Sequence, residues 1–379
     1  MTLAAQSRRS ALLFIDSLKT GGAERVTLQW AAWLSEAGWS VTLLTSKSSS
    51  HDFYPVPTGL RRLREPAPQG LLNHALFWPL KLWRLRTLLR REQPDVLIGM
   101  TTLPSIKLAF TSIGLPSRLV ISERNYPPAR PLAWHWRLLR RLAYPRAHLH
   151  LVQTQGIAQW LHQRGLARRT AILPNSILWP LPQHAPQVNP GDFISPDQKL
   201  ILAVGTKLHQ KGFDRLVAAF AELQADFPDW SLAIVGIQDV PYHGVNQAAR
   251  LRQLMGSETS RLILPGNVGN VGDWYRASAL FVLSSRFEGY PNVLLEAMAS
   301  GLPCLAVDCP TGPSDLIDPG LNGWLVSEQV AAADMKQPLR LALEDAAARA
   351  AFASRAQTVR QHNGPESLRP IFLDLMGSL

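Results

Sequence analysis

Short apolar runs alternate with longer stretches of helical periodicity along the whole chain. Residues 11–15 and 40–45 have the pattern of buried strands, and a helical pattern over 23–37 lies between them. A second clear helical pattern covers 213–227. The further predicted strands are 95–100, 118–122, 148–153, 170–173, 200–205, 231–236, 261–264, 279–284 and 303–307.

Strands that are almost wholly apolar and separated by helices are typical of parallel sheets covered on both faces. The pattern therefore predicts an α/β fold with doubly wound parallel sheets. Prolines at positions 180, 182, 186, 190 and 196 interrupt the pattern, and such a density excludes helix and central strand. We expect a first domain over 1–180, a linker over 181–197, a second domain over 198–360, and a C-terminal helix over 361–379 that packs back toward the first domain.

The composition of the 379 residues excludes several classes of protein. With 46% hydrophobic and 18% charged residues, the chain is neither a disordered tail nor a coiled coil. Its cysteines, Cys304 and Cys309, are too few for a disulfide scaffold and predict buried, reduced thiols. No apolar run reaches the roughly 20 residues that span a bilayer, and the first residues lack a signal-peptide pattern, so we expect a cytoplasmic protein.

The charge is distributed unevenly along the chain. Through residue 180 there are 24 Lys and Arg against 8 Asp and Glu, whereas the remainder has 15 against 20. This asymmetry predicts a polyanionic partner for the first half: nucleic acid, anionic lipid or a phosphorylated substrate. No nucleic-acid-binding signature is found, so we expect no nucleic-acid partner.

Two strand-to-helix loops are candidates for binding an anion. Gly21 and Gly22 precede the first helix, where backbone N–H groups and the helix dipole favour a phosphate, although a simple tight turn has the same pattern. The loop at Gly205, Thr206 and Lys207 leads to the Lys-Gly pair at 211–212. A lysine there can pair with a diphosphate as a point charge, and a solvated loop is the alternative.

The stretch 284–313 is the most informative part of the sequence. A strand end is followed by a turn and by a predicted helix over 292–300, which Gly301 and Pro303 terminate. Glu288 precedes that helix and Glu296 lies within it. Carboxylates accept hydrogen bonds from vicinal hydroxyls, and the turn between them offers N–H groups to a phosphate. The alternative is a helix cap at Glu288 and a solvated Glu296.

This stretch resembles the Glu-x7-Glu motif of the retaining glycosyltransferases of family 4, a GT-B group that uses nucleotide sugars. Residues 286–316 are most similar to bacterial hexosamine and hexose transferases that build lipid-linked or surface polysaccharides. The glycine pair, the Lys-Gly pair and the two glutamates occur in the family's order and at its spacing. The resemblance implies a GT-B fold, in which two Rossmann-like domains face a central cleft.

The resemblance also implies roles for individual residues. Glu296 would hold the ribose hydroxyls of the nucleotide, and Glu288 would hold hydroxyls of the donor sugar. Lys211 would bind the diphosphate and, with Glu288, lie at the reacting groups. The remaining donor-binding residues would be Gly21, Gly22, Gly205, Thr206, Lys207, Gly289, Tyr290, Pro291, Asn292 and Val293.

The chain departs from the family pattern at two places. Thr206 stands where members usually carry an arginine, so one diphosphate contact is lost or passes to Lys207. After a first-domain strand, many members have a histidine near the reacting sugar. This chain has Glu123, Arg124 and Asn125 there, and we expect these residues to lie in the cleft.

Two basic, aromatic-rich segments in the first domain, 77–91 and 131–146, suggest a membrane face. Helices packed on the sheet with solvated arginines are the alternative. The membrane-facing residues of the first segment would be Lys81, Arg84, Arg86, Arg90 and Arg91. His148 and His150 share a face of a predicted strand, but no metal site is expected, because the family needs none.

The resemblance implies a retaining, metal-independent hexosyltransferase without a cofactor. It would move a hexose or N-acetylhexosamine from a nucleotide sugar to a lipid-linked, surface-polysaccharide or lipopolysaccharide acceptor, as a peripheral protein on the inner face of the plasma membrane. UDP is the favoured nucleotide and GDP-mannose the main rival donor. A nucleotide-sugar epimerase or hydrolase of the same fold, and a non-catalytic GT-B partner subunit, remain as alternatives.

Overall fold

Each of two units in the chain is built on one parallel β-sheet. The computed structural model describes residues 8–19, 21–66, 78–242 and 244–379. One unit lies within Met1–Asn175 together with Leu368–Leu379, and the other is Ser176–Ser367. The proline-rich segment 181–197 is therefore part of the second unit. Thr20 and Phe77, which lie in the predicted glycine loop and the first basic segment, fall outside the described residues.

The first sheet has seven strands in the order β3-β2-β1-β4-β5-β6-β7, and all its pairs are parallel. In register, Leu13 of β1 lies opposite Leu43 of β2 and Ile98 of β4. The strands are β1 (Ser10–Ile15), β2 (Ser40–Thr45), β3 (Arg61–Arg64), β4 (Val96–Met100), β5 (Arg118–Ser122), β6 (Leu149–Val152) and β7 (Thr170–Ile172).

Helices cover both faces of this sheet because its side chains alternate between two cores. Leu13 of β1 packs with α1 and α15, and Phe372 of α15 stacks on Trp30 of α1 at 4.8 Å between ring centroids. Phe14 points to the opposite core, with α2, α3, α4 and α5. The helices are α1 (Gly22–Glu36), α2 (Trp78–Glu92), α3 (Thr102–Thr111), α4 (Trp134–Ala143), α5 (Gln155–Gln163) and, at the end of the chain, α15 (Pro365–Gly377).

The second sheet has six parallel strands in the order β12-β9-β8-β13-β14-β15. After β8, the chain adds β9 and then β12 toward one edge of the sheet. It then returns, and β13 pairs with the other side of β8, so the strand order reverses between β8 and β13. Ligands of doubly wound sheets bind at such a switch point, at the carboxyl ends of the strands. The strands are β8 (Lys199–Val204), β9 (Trp230–Val235), β12 (Leu262–Ile263), β13 (Leu280–Leu283), β14 (Cys304–Asp308) and β15 (Trp324–Ser327), with a separate antiparallel pair, β10 (Pro241–Tyr242) and β11 (Val245–Asn246).

The second sheet is also covered on both faces. Phe213 and Phe220 of α7 lie in one core with α8 and α12, and Trp274 of α9 lies in the other with α10. Cys304 and Cys309 are buried free thiols. The helices are α6 (Leu208–Lys211), α7 (Phe213–Leu223), α8 (Gln247–Met255), α9 (Val271–Ala277), α10 (Asn292–Ala299), α11 (Glu328–Ala333), α12 (Lys336–Glu344), α13 (Ala346–Ala356) and α14 (Val359–His362).

The predicted α/β class with two doubly wound parallel sheets is confirmed. The sequence pattern misses β3, because three of its four residues are arginines, and it misses the half-buried β15. It also extends α7 too far, since that helix ends at Leu223. No helix within the described part of the chain combines the length and the apolar character that a bilayer crossing requires.

The junction of α6 and α7 requires glycine. Gly212 has φ +64°, and a Cβ there would lie 1.9 Å from the carbonyl oxygen of Ser284. We predict that Gly212→Ala lowers the free energy of unfolding by about 3 kcal/mol, because backbone strain and a backbone clash add. Gly320→Ala is the control, since Gly320 has φ +77° and nothing within 4 Å of the added atom. Equal losses in urea unfolding of the two variants would show that the clash is relieved.

Candidate donor site at the second sheet

Lys211 and Glu288 meet at the carboxyl edge of the second sheet. Lys211 ends α6, which follows β8, and Glu288 lies in the loop after the neighbouring strand β13. Lys211 Nζ donates to Glu288 Oε1 at 2.7 Å, and the two side chains are only 15% and 7% exposed. The structure thus brings together two predicted site residues at the switch point.

Two further side chains fix Glu288. Ser285 Oγ donates to Glu288 Oε1 at 2.6 Å, and Thr311 Oγ1 donates to the backbone carbonyl of Glu288. Both residues are buried. Neither was predicted as a site residue, although both lie in the stretch 284–313. A buried carboxylate with a cation and a hydroxyl at one oxygen is held in one orientation.

Glu296 is buried within α10 and is 7% exposed, so the predicted alternative of a solvated side chain is wrong. The hydroxyl of Tyr275, on α9, donates to Glu296 Oε2 at 3.3 Å and to Val293 O at 3.1 Å. Tyr275 therefore ties the carboxylate to the first turn of α10. No sequence signal pointed to Tyr275, which lies 21 residues away.

The turn between the two glutamates can offer fewer N–H groups than the sequence suggested. Pro291 has none, and the N–H of Asn292 donates to Tyr290 O at 3.0 Å. Gly289, Tyr290 and Val293 remain as possible donors. The Tyr290 hydroxyl accepts from Asn363 Nδ2 at 2.9 Å, which anchors the turn from α14's end.

The loop after β8 is fastened by a glutamine. Gln247 Oε1 accepts from Leu208 N at 2.6 Å, and its Nε2 donates to Thr206 O at 3.2 Å. Thr206 itself is exposed and Lys207 is half-buried. Gly205 has φ +158°, and a Cβ there would lie 2.8 Å from the Lys211 side chain, so the bare backbone lets that lysine pass.

Two arginines hold the loop after β13 in place. Arg215 Nε donates to Ser284 O at 2.8 Å, and its terminal nitrogens reach Ser285 O and the Glu328 carboxylate. Arg286 forms a two-point ion pair with Asp214 at 2.8 and 2.7 Å. These contacts join the loop to α7, so Lys211 and Glu288 are positioned by one rigid assembly.

In the first unit, the predicted glycine pair lies at the start of α1. A Cβ on Gly21 would lie 2.2 Å from Glu24 Oε2, so the carboxylate of Glu24 fits against the bare glycine. Burial raises the pKa of Glu24, and the nearby Asp16 adds to this effect. Gly21 is therefore required locally by the first turn of the helix that follows it.

Glu123 lies directly after β5 and is fully buried. Its carboxylate accepts from the Tyr144 hydroxyl at 2.6 Å and from Thr102 Oγ1 at 3.1 Å. Burial raises the pKa of Glu123 above its ordinary range, although these hydrogen bonds favour the anion. Beside it, Thr101 has φ 74°, a strained conformation for a β-branched residue, and its N–H donates to Ser122 O at 3.0 Å.

Arg124 points away from Glu123 into a separate polar cluster. It donates to Asn175 Oδ1, which also accepts from Gln153 Nε2 at 3.2 Å, and its guanidinium lies over the Trp30 ring at 5.2 Å. Burial lowers the pKa of Arg124 to about 9. Asn125 is half-buried after this pair.

The two histidines differ in environment. His148 precedes β6 and accepts from Leu119 N at 3.0 Å, whereas His150 lies fully buried within the strand. Burial lowers the pKa of His150 to about 4. Among the described residues, no three His, Cys, Asp or Glu side chains are grouped so that they could hold a metal ion.

Comparison with known proteins identifies the family. Residues 21–176 match the model of the glycosyl transferase 4-like domain, and residues 190–359 match that of glycosyl transferases group 1. The second model contains Lys211, Glu288 and Glu296, and the first contains the glycine pair and Glu123. The chain belongs to this family of two-domain glycosyltransferases.

Individual relatives span most of the chain. The amylovoran biosynthesis glycosyltransferase AmsD of Erwinia amylovora is 27% identical over 84% of this chain and 86% of its own length. A Campylobacter jejuni enzyme, the N-acetylgalactosamine-N,N'-diacetylbacillosaminyl-diphospho-undecaprenol 4-alpha-N-acetylgalactosaminyltransferase, is 27% identical over 91% and 93%. The structure of Anabaena HepE in complex with UDP-glucose superposes with a TM-score of 0.77 at 19% identity, covering 98% of this chain and all of that one.

The Lys211–Glu288 pair gives a stability prediction. Lys211→Met leaves a buried carboxylate without its cation, so we expect the free energy of unfolding to fall by about 3–5 kcal/mol. Adding Glu288→Gln should recover part of that loss, which a double-mutant cycle in urea measures. Lys199→Met removes the exposed pair with Asp229, at 50% and 45% exposure, and should cost at most about 1 kcal/mol. Equal costs for the two lysines would contradict a buried, coupled pair.

Glu123 gives a pH prediction. Because its folded-state pKa is raised, the stability that its protonated form contributes is complete below the unfolded pKa and is lost as pH rises through the folded pKa. The neutral Glu123→Gln variant should therefore gain stability relative to the wild type as the pH rises from about 4.3, the ordinary pKa of a glutamate, toward neutral pH. Urea unfolding of both proteins across this range, with exposed Glu36→Gln as the control, measures the difference. A pH-independent difference would contradict the raised pKa.

Proposed function

We propose that this glycosyltransferase moves a hexose or N-acetylhexosamine from a UDP-sugar, with retention at the anomeric carbon, to a lipid-linked or polysaccharide acceptor. The observation that carries the proposal is the buried Lys211–Glu288 pair at the switch point of the second sheet. In a member of this family, such a pair provides a cation for the diphosphate and a fixed carboxylate for the sugar.

Donor binding divides among three side chains. Glu296, oriented by Tyr275, accepts hydrogen bonds from the ribose hydroxyls, and Glu288 accepts them from hydroxyls of the sugar. Lys211 contacts the diphosphate. The UDP-glucose bound by HepE, which has the same fold, supports uridine as the base.

The chemical step exchanges one bond to the anomeric carbon for another. The bond from that carbon to the diphosphate oxygen breaks with its electron pair on the diphosphate, and an acceptor hydroxyl forms the new bond on the same face. The hydroxyl proton passes to the departing phosphate oxygen. Lys211 stabilises the charge that develops there, and a fixed cation in a water-poor site contributes several kcal/mol. We propose that no metal ion is needed for this step.

The acceptor is proposed to bind at the first unit. The Campylobacter relative is named for a diphospho-undecaprenol acceptor, and AmsD for the biosynthesis of a polysaccharide. The excess of Lys and Arg through residue 180 suits a lipid-diphosphate, which an enzyme would meet at the cytoplasmic face of the membrane. Strained Thr101 and buried Glu123, at adjacent strand ends, mark the place where we expect the acceptor hydroxyl.

Thr206 favours one other function. Because an exposed threonine stands where family members carry an arginine, a non-catalytic subunit that keeps the fold is the second candidate. Transfer by the purified chain distinguishes the two. An NMR spectrum of the product shows whether the anomeric configuration is retained, and hydrolysis without acceptor would indicate a hydrolase.

The first experiment is a thermal-shift series with UDP, GDP, ADP and dTDP in EDTA. We expect UDP alone to stabilise the protein, by about 2.7 kcal/mol at 100 times its dissociation constant. Glu296→Ala should weaken UDP binding by about ten-fold or more, since it removes charged hydrogen bonds to the ribose. Glu258→Ala, an exposed glutamate of the same unit, should bind UDP normally.

Each other result has a definite meaning. Stabilisation by GDP alone would indicate a GDP-sugar donor instead of a UDP-sugar. Stabilisation that needs Mg²⁺ would overturn the metal-free mechanism. No shift with any nucleotide would favour the non-catalytic subunit. Unchanged affinity in Glu296→Ala would remove the ribose role from that residue.

A further inference from the structure

Helix α4 leaves an apolar stripe open to solvent. Trp134, Leu138 and Leu142 are spaced four residues apart and therefore lie on one side of the helix. They are 71%, 50% and 48% exposed. No other helix in the described part of the chain has three large apolar side chains exposed to this degree. We call these three residues the α4 stripe.

The opposite side of α4 is firmly packed. Trp136 and Leu139 contact the core beneath the sheet, and Ala143 is fully buried in it. The Trp136 ring meets that of Trp78 on α2 at 5.4 Å between centroids, edge to face. Because one side of the helix is anchored, the exposure of the α4 stripe is a fixed property of the surface, and a patch of this kind marks an interaction site.

The formally charged side chains of α4 itself are all positive. Arg137 and Arg141 are exposed on the same side of the helix, and the segment 131–147 contains no Asp or Glu. Arg90 is exposed on α2 and adds a further positive charge, whereas the charge of Arg91 is paired with Glu92 at 2.9 Å. An amphipathic helix with Trp and Leu on its open face and arginines beside them is suited to the interface of an anionic bilayer.

We propose that the α4 stripe enters the headgroup region of an anionic bilayer, with Arg137 and Arg141 at the lipid phosphates. The proposal rests on the proposed function in one respect, that a lipid-linked acceptor requires the enzyme at a membrane. A second copy of the chain is a poorer occupant. A two-fold contact through this patch would place arginines opposite arginines with no acid between them.

Helix α2 has a different part in this surface from the one that its sequence suggests. Leu85 and Leu89 are buried in the core, so Trp83 is the one large apolar side chain that this helix exposes within its described residues. Arg86 donates to the carbonyls of Thr111 and Ile113 at 2.8 and 2.7 Å, which removes it from the lipid-facing set. We assign insertion to α4 and long-range attraction to Arg84 and Arg90 of α2.

Vesicle sedimentation tests the stripe. The full chain should bind vesicles of phosphatidylglycerol and bind phosphatidylcholine vesicles at least ten-fold more weakly. Replacing Trp134, Leu138 and Leu142 with Ser should lower the partition onto phosphatidylglycerol at least ten-fold. The control is Leu341→Ser with Ile371→Ser, which removes exposed apolar side chains from α12 and α15 and should bind like the wild type.

The insertion of Trp134 into the bilayer is measured by the quenching of tryptophan fluorescence with lipids brominated on their acyl chains. Trp134→Phe should lose most of the quenching that the wild type shows. Trp179→Phe, in which a 40% exposed tryptophan of the second unit is replaced, should keep it.

The outcomes separate this proposal from the proposed function. The stripe variant should unfold at the wild-type temperature and show the wild-type shift with UDP. If it also binds vesicles like the wild type, or if Trp134→Phe retains the quenching, insertion through α4 is wrong. A wild-type dimer that the stripe variant disperses, without vesicle binding, would assign the surface to a second copy. If the protein binds vesicles but binds no nucleotide, the proposed donor site is wrong and the membrane proposal stands.

Discussion

Two opposite charges buried side by side, Lys211 and Glu288, constrain the loops of the second unit. Neither charge is tolerable there alone, because desolvation of an unpaired ion costs more than packing returns. The loops after β8 and β13 must therefore form together, and Ser285, Thr311 and Arg215 serve that joint arrangement. A site built in this way is ordered by its own side chains, so little reorganisation would remain for a ligand to drive.

In the first unit, by contrast, two neighbouring opposite charges do not form an ion pair. Glu123 and Arg124 are neighbours in sequence, yet they do not pair, since successive side chains at a strand end leave on opposite sides. Each enters its own polar cluster, Glu123 with Tyr144 and Arg124 with Asn175. The two side chains thereby have different hydrogen-bond partners, and the Ser-Glu-Arg-Asn sequence provides two distinct environments at one strand end.

Much of the fold was predictable because parallel strands are buried on both faces. Such strands are continuous apolar runs, which can be recognised in the sequence without knowledge of their neighbours in space. The sequence pattern did not predict the edge strand β3, because Arg61, Arg62 and Arg64 leave it without an apolar run. The motifs predicted Lys211 and Glu288 as candidate site residues, but 77 residues separate them, and only the structure shows that they are in contact. Tyr275 and Gln247 carry no local signal, and the open side of α4 depends on what packs beneath it.

The first unit is completed by residues that follow the second unit in the sequence. Phe372 of α15 stacks on Trp30, and Leu368 and Met376 complete the same core. During translation, the ribosome therefore produces the whole second unit before these side chains become available. Until then, α1 alone covers this face of the first sheet, while the second unit, continuous in sequence, can already fold. The first unit can thereby be completed only after the second has been synthesised, although it begins earlier in the chain, and residues 368–379 are a structural part of the first unit.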